Sequence, residues 1–261
     1  MEHEVIIRLT LFFGLFLFFA ILERIAPKTT LGHPIKARWI THFAITFVNT
    51  MALRLLSLAL PLLAVGAALD AGHLGWGLFN LLNWPLWVEF ILTLLILDFV
   101  IWAQHWATHK IPLLWRLHQV HHADVDFDVS TAIRFHPVEI ALSMVLKIGI
   151  VYALGPMAWA VVIFEILLNG TALFNHANIA LPVWLDKALR WVIVTPDMHR
   201  IHHSVQRAEH DSNYGFALSI WDRLFMTYRS EAQGRLHVGL KWQDDRPTQI
   251  GWSLWLPFMR K

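Results

Sequence analysis

The chain contains 261 residues with a formal net charge of +2, and 56% of its residues are hydrophobic whereas only 15% are charged. Soluble domains carry roughly a quarter of charged residues, so this composition and a mean hydropathy of +0.49 favour a membrane protein. The absence of cysteine excludes disulfides and cysteine-based zinc sites. The small net charge predicts no nucleic-acid partner. The sixteen histidines are the unusual feature of the composition.

Long apolar runs predict an all-α, polytopic membrane protein. The first run, 5–22, is interrupted only by Arg8 and Thr10. It indicates an uncleaved membrane helix, because neither a basic start nor a small-residue cleavage site accompanies it. A second span is predicted near 43–69 and a third near 86–104.

The next apolar stretch, 138–174, predicts a helical hairpin, since Gly155 and the proline after it interrupt the stretch near its middle. The second and third spans and the two halves of the hairpin give about four membrane-embedded helices or hairpin pieces, in addition to the first span. Residues 105–137 and 176–261 remain for a helical cap. No internal repeat or linker-like segment is evident, so 1–261 is expected to form a single domain.

The distribution of basic residues predicts the orientation in the membrane. The loop 23–42 contains four lysine or arginine residues, whereas the segment 70–85 contains none. Loops rich in lysine and arginine stay in the cytoplasm. The sequence therefore predicts that the cap faces the cytoplasm, at the inner membrane if the protein is bacterial.

Three groups of histidines follow these apolar segments at helical spacing. His105 and His109 are four residues apart and therefore share a helical face. Two later groups have the form His-x-x-His-His, which also places all three imidazoles on one face. Thr195, followed by proline, is a good N-cap for the last group. The eight histidines are His105, His109, His118, His121, His122, His199, His202 and His203.

Eight imidazoles are too many for one ion and match two. Neutral imidazole binds iron, zinc, copper and nickel, so the groups predict a His-dominated dimetal site. His176, where the hairpin ends, is a candidate ninth ligand, with a capping role as the alternative. His136 and His210 are weaker candidates, and their contact with metal is left open.

Polar residues near the groups are candidates to orient the metal ligands, and no separate catalytic residue is predicted. Asp98 lies seven residues before His105 on the same helical face and could accept its second N–H. Pairing with Arg54 would also explain this acid within an apolar span. The four candidates are Asp98, His136, Asn178 and Asp222.

The three groups match, in type, order and spacing, the histidine boxes of the fatty acid hydroxylase/sterol desaturase superfamily of integral membrane diiron oxygenases. The chain resembles this superfamily over roughly 86–230, and the segments 130–137, 175–182 and 213–215 are similar as well. The resemblance implies two iron ions held by the eight histidines and His176. It also implies O2 as co-substrate, and a separate electron donor such as a ferredoxin or a cytochrome b5-like protein.

The substrate implied by the resemblance is lipid-like (fatty acyl, sterol or ether lipid), and the reaction is hydroxylation or desaturation of a C–H bond. Two other classes stay open. A His-rich metal or proton transporter would place histidines within the spans and often has inverted repeats. A zinc-dependent membrane hydrolase would need an activating carboxylate, and the sequence has no His-Glu-x-x-His.

Overall fold

The computed structural model describes residues 3–59, 63–82, 84–242 and 244–259. Within these ranges the chain is helical and forms only isolated β-bridges, which confirms the predicted all-α class. Short 3-10 segments connect some of the helices. The α-helices are α1 Glu4–Ile25, α2 Ile35–Ala59, α3 Ala64–Leu74, α4 Leu86–Lys110, α5 Pro112–His122, α6 Pro137–Leu154, α7 Ala158–Asn175, α8 Val183–Leu189, α9 Pro196–His202, α10 Arg207–His210, α11 Ile220–Leu224 and α12 Ile250–Trp255.

Five helices, α1, α2, α4, α6 and α7, are long and apolar enough to cross a membrane, as predicted from the apolar runs. Helix α1 packs on α7, α2 packs on α6, and α4 packs on α7 and α5. Apolar side chains also cover the outward faces, for example Leu9, Phe13 and Leu17 on α1, each more than half exposed. An apolar outer surface on a helix bundle suits contact with lipid.

The predicted boundaries of the second span were wrong. A single helix over 43–69 is replaced by α2, which begins eight residues earlier and ends at Ala59, and by the separate helix α3; residues 60–62 lie outside the described residues. Helix α3 buries the small side chains of Ala64, Ala67 and Ala71. Because small residues let helices approach closely, α3 packs against α6 and α7 instead of continuing the span.

Helix α4 begins at Leu86, the predicted start of the third span, and runs directly into the first histidine group, as the helical spacing of His105 and His109 predicted. It continues to Lys110 and carries the first histidine group on its last two turns.

The predicted hairpin is confirmed, since α6 ends at Leu154 and α7 begins at Ala158. Gly155 caps α6 in the left-handed conformation, with φ +62°. A Cβ atom there would lie 2.1 Å from the carbonyl oxygen of Trp76. Glycine is thus required both by the backbone conformation and by the close approach of a second segment.

A buried ion-pair network joins α2 to the loop that follows the second histidine group. The Arg38 guanidinium donates to both carboxylate oxygens of Asp124 at 2.9 and 2.7 Å, and to Asp128 at 2.5 Å. Burial alone would raise the pKa of Asp124, but the Arg38 charge holds it well below its ordinary value. Asp128 also caps the short 3-10 segment Val129–Ile133. The network therefore fixes the loop beside the histidines.

Replacing Arg38 with methionine should destabilise the fold strongly, because two buried carboxylates lose their guanidinium partner. The expected loss is about 3–5 kcal/mol. Thermal unfolding of the purified protein in detergent measures it. Arg24, which is exposed, supplies the matched control Arg24→Met. Equal melting temperatures for the two variants would contradict the structural role of the network.

Candidate metal centre

Four segments bring the histidines to one end of the helix bundle. Helix α4 carries His105 and His109, and Pro112 starts α5 directly afterwards, so α5 folds back along α4. Thr195 is the N-cap of α9, as predicted, and its hydroxyl accepts from the Met198 N–H. The third histidine group lies on α9 and on the residue that follows it. The end of α7 supplies the fourth segment.

The nine predicted ligands fall into two adjacent buried clusters. Within each cluster, the candidate ligand atoms lie within 4.8 Å of one another. Each cluster combines residues from at least two histidine groups, and the C-cap residue of α7, His176, belongs to the second. The first cluster is His105, His109, His118, His122 and His202, and the second is His121, His176, His199 and His203.

Outward hydrogen bonds fix the orientation of several rings. The Nδ1 of His105 lies 2.7 Å from the carbonyl oxygen of Tyr214, and that of His202 lies 2.7 Å from the carbonyl of Ser212. His176 makes the same kind of bond to the Ala172 carbonyl at 2.8 Å. An Nδ1–H that donates outward leaves the Nε2 lone pair directed into the cluster.

The inward-facing nitrogens crowd one another in the way that shared metal ions would require. The Nε2 atoms of His105 and His118 are 3.0 Å apart, and that of His176 lies 3.1 Å from both His121 and His199. Further buried ring nitrogens in both clusters have no hydrogen-bond partner among the residues that the structure describes. Because unpaired buried polar atoms are costly, this set of donors fits metal ions.

The protonation of these side chains also suits metal binding. Burial lowers the pKa of His176 to about 4. It also lowers the pKa values of five other cluster histidines well below the usual range, and neighbouring histidines add to the effect. Neutral imidazoles offer lone pairs to a metal ion. These five are His121, His122, His199, His202 and His203.

Glu139 is a functional residue that sequence reasoning missed. Its Oε1 accepts from the Nδ1 of His118 at 2.6 Å, and its Oε2 is buried with no hydrogen-bond partner in the described part of the chain. A carboxylate behind a ligand histidine fixes the ring and makes it more basic. The available signal was an acid in the first turn of an apolar helix, two residues after Pro137.

Asp98 does not take the predicted position behind His105. Seven residues of helix separate the two by about 10 Å along the axis, which is beyond the reach of the carboxylate. Asp98 instead accepts from the indole N–H of Trp221 at 2.8 Å and from the backbone of Leu218. Among the described residues, no ion pair joins it to Arg54 either. It ties α4 to the cap.

Asp222 acts on His105 through the backbone. Its carboxylate accepts from the N–H groups of Tyr214 and Gly215, both at 2.8 Å. The carbonyl of Tyr214 is the acceptor for His105, so Asp222 positions that acceptor. Trp102 also donates to Asp222, which links this turn to α4.

Asn178 lies one step further from the clusters. Its side-chain oxygen accepts from Arg200 at 3.2 Å, next to His199 on α9, and from the backbone N–H of Thr29 at 3.1 Å. It therefore connects the loop after α1 to the helix of the third histidine group.

The two weaker ligand candidates among the histidines, His136 and His210, lie outside both clusters. His136 caps α6, since its Nδ1 accepts from the Val138 N–H, and its Nε2 lies 3.2 Å from the Leu254 carbonyl. Both of its ring nitrogens are thus used by the fold. His210 lies near His109, and Asp211 is the third member of that more exposed group.

A cavity of about 350 Å³ adjoins the first cluster, a volume within the roughly 300–1,000 Å³ range of ligand pockets. All five long apolar helices contribute to its wall, and His105 and His118 lie in that wall. Polar and apolar residues both line the cavity, but most of its exposed surface is apolar, with Ile101 and Phe216 among the apolar lining residues. Phe135 also lines it and stacks on His121, with ring centroids 4.2 Å apart.

Comparison with known proteins gives a family match. A family model described as fatty acid hydroxylase matches residues 90–227, which contain all three histidine groups and His176. No solved structure matches this chain.

Several relatives of known activity are similar to this chain. Alkylglycerol monooxygenase from Xenopus tropicalis is 31% identical over 158 residues, which cover 59% of this chain and 32% of that protein. An ornithine lipid hydroxylase from Rhizobium tropici is 30% identical over 148 residues, covering 57% of this chain and 44% of that protein. Human alkylglycerol monooxygenase is 30% identical over 51% of this chain and 29% of that protein. The chain spans less than half the length of these relatives.

Alanine substitutions should show that each cluster holds its own metal ion. His202→Ala removes a ligand from the first cluster and His121→Ala removes one from the second, so each should lower bound metal from about two ions per chain to about one. Elemental analysis of the purified proteins measures the ratio. His237→Ala, at an exposed histidine, should keep the full amount. A wild-type protein that binds no metal would contradict the assignment.

Replacing Glu139 with glutamine removes the negative charge behind His118 while preserving the shape of the side chain. Metal affinity should fall roughly 10- to 100-fold, which is the usual effect of losing such a partner. Chelator competition measures the affinity. The control Glu231→Gln changes an exposed acid of the cap and should leave it unchanged. Unaltered affinity in Glu139→Gln would show that the contact is only structural.

Proposed function

The chain belongs to the fatty acid hydroxylase family, and from this premise we propose that it is an O2-dependent oxygenase that hydroxylates a C–H bond of a lipid. The observation that carries the proposal is the pair of all-histidine clusters beside a mostly apolar cavity enclosed by five membrane-type helices. The names of the relatives favour hydroxylation over desaturation, since they are hydroxylases and monooxygenases. The family match and the all-histidine donor set support iron as the metal.

The two iron ions would supply the activation of O2, which no protein side chain can perform. The eight box histidines and His176 would hold them. The protein's own part is to fix these ligands and to aim the substrate. Hydrogen bonds from His105 to Tyr214 and from His118 to Glu139 keep two ligand rings at the cavity wall in a single orientation.

The cavity wall would position the substrate carbon and exclude water. Ile101 and Phe216 lie in this wall close to the first cluster, and Phe135 covers the face of His121. Apolar side chains bind a hydrocarbon chain by removing its surface from water. A dry site also protects the reaction from competing proton transfers.

The structure gives less support to the two alternative classes. Among the described residues, the clusters occupy one end of the helix bundle, whereas a transport pathway would need relay groups along its length. A zinc hydrolase would need a carboxylate facing the metal, but Glu139 faces the outer nitrogen of His118. A hydrolase would also leave O2 consumption unchanged.

We further propose a topology and an electron source. The basic loop after α1 packs beside the third histidine group, where Lys28 contacts Asp197 at 2.6 Å. The positive-inside rule then supports a cytoplasmic metal centre. A separate one-electron donor at that face, a ferredoxin or a cytochrome b5-like protein, would supply the electrons. The contacts between the cap and the helix bundle support the proposal that the chain forms a single domain.

Expression of the protein in a host that lacks it should produce lipids that gain one oxygen atom. Growth under ¹⁸O2, followed by mass spectrometry of extracted lipids, measures the gain and its source. Hydroxylation places one atom of O2 in the lipid, and two electrons from the donor together with two protons reduce the other atom to water.

His121→Ala should abolish the labelled products, because the second cluster loses a ligand, whereas His237→Ala should keep them. Lipids that remain unlabelled in cells with folded, iron-loaded wild-type protein and a suitable electron donor would refute the oxygenase proposal. Products that lose two hydrogens without gaining oxygen would instead identify a desaturase.

A further inference from the structure

The cavity beside the first cluster has a charged end that the metal chemistry does not explain. On α6, Glu139, Ser143 and Lys147 are spaced four residues apart and therefore share one face, and all three line the cavity. Glu139 contacts His118 at one end of this face. Lys147 is eight residues further along, about 12 Å away at the rise of an α-helix.

Two further charged side chains meet Lys147 there. The Lys147 ammonium donates to Glu165 of α7 at 2.7 Å, and Arg8 of α1 binds the other carboxylate oxygen at 2.7 Å. The side chain of Lys147 is only 11% exposed, and that of Glu165 is 6% exposed. Charged residues between membrane-type helices are costly to bury, so they usually mark a functional site.

Donors outnumber acceptors in this group. An ammonium has three N–H donors, and among the described residues Lys147 uses one of them, on Glu165. Glu165 is the carboxylate of the cavity wall at this end, since Glu139 lies at the His118 end. Glu4, which also binds Arg8, is not part of that wall. The spare donors of Lys147, beside the Arg8 guanidinium, suit a ligand group that is anionic and accepts hydrogen bonds.

We propose that Arg8 and Lys147 form a headgroup subsite that binds the oxyanion of the lipid substrate, either a carboxylate or a phosphate. This inference rests on the proposed function. An acyl chain anchored there would extend through the apolar part of the cavity to His105 and His118. The fixed separation between the subsite and the clusters would then select which carbon reacts, because anchoring one end of a substrate orients the other.

Competition binding tests the subsite without turnover. The full-length, metal-loaded protein is kept anaerobic in neutral detergent, and displacement of radiolabelled palmitate is measured for three competitors: palmitate, hexadecyl phosphate and hexadecanol. The wild type should prefer an oxyanion over hexadecanol by about tenfold or more, the effect of a charge-assisted hydrogen bond. Stronger competition by palmitate than by hexadecyl phosphate would identify a carboxylate head, and the reverse order would identify a phosphate.

Variants at Lys147 and Arg8 test whether these residues cause the preference for an oxyanion over hexadecanol. Lys147→Met should abolish it, Lys147→Arg should retain it, and Arg8→Met provides a second loss variant if Lys147→Met does not fold. The matched control is Arg54→Met, which removes an exposed cation from α2 that does not line the cavity. Hexadecanol binding as well as palmitate in the wild type, or a preference that survives in Lys147→Met, would overturn the subsite.

The two proposals fail separately. An oxyanion preference in a protein that never produces ¹⁸O-labelled lipid would refute the oxygenase and leave the subsite standing. Labelled lipid without any oxyanion preference would refute only the subsite.

Discussion

Burying nine imidazoles together is the constraint on which the rest of the structure depends. Each ring has two nitrogens, and a buried polar atom without a partner costs free energy. The fold resolves this by giving the outer nitrogens of several rings a carbonyl or a carboxylate, as for His105 with Tyr214 and His118 with Glu139. The inner nitrogens are left facing one another, 3.0 Å apart for these two rings. A shared cation would satisfy that arrangement without protonating the rings.

Long-range contacts hold the outer partners in place. The Tyr214 carbonyl, which accepts the hydrogen bond from His105, belongs to a turn whose backbone N–H groups donate to Asp222. Asp98 accepts from Trp221 and so anchors the same part of the cap to α4. On the opposite side, Arg38 joins α2 to the loop after the second histidine group. Membrane-type helices and cap are therefore interdependent. A change in these supports should alter the metal centre although none of these residues lies in either cluster.

The cavity joins two environments that a lipid needs. Its apolar wall reaches the first cluster, and its charged end lies among α1, α6 and α7, where Lys147 and Arg8 share Glu165. A hydrocarbon chain gains binding energy from the wall but little positional information, because apolar contacts are not directional. A directional contact at one end supplies that information. Substrate choice and the site of oxidation would thus be decided far from the metal ions.

The sequence by itself determined the number of membrane-type helices and the identity of the histidine groups, because these follow from apolar run length and helical spacing. It also determined the hairpin break at Gly155 and the helix N-cap at Thr195, because glycine, proline and threonine have strong local preferences at helix ends. Only the tertiary structure decided how the histidines divide into two clusters, that Glu139 and not Asp98 stands behind a ligand, and that α3 is separate from α2. Spacing shows which side chains share a face of one helix. Which faces of different helices meet depends on packing between segments far apart in the sequence, such as α1 and α7, and local periodicity does not encode that packing.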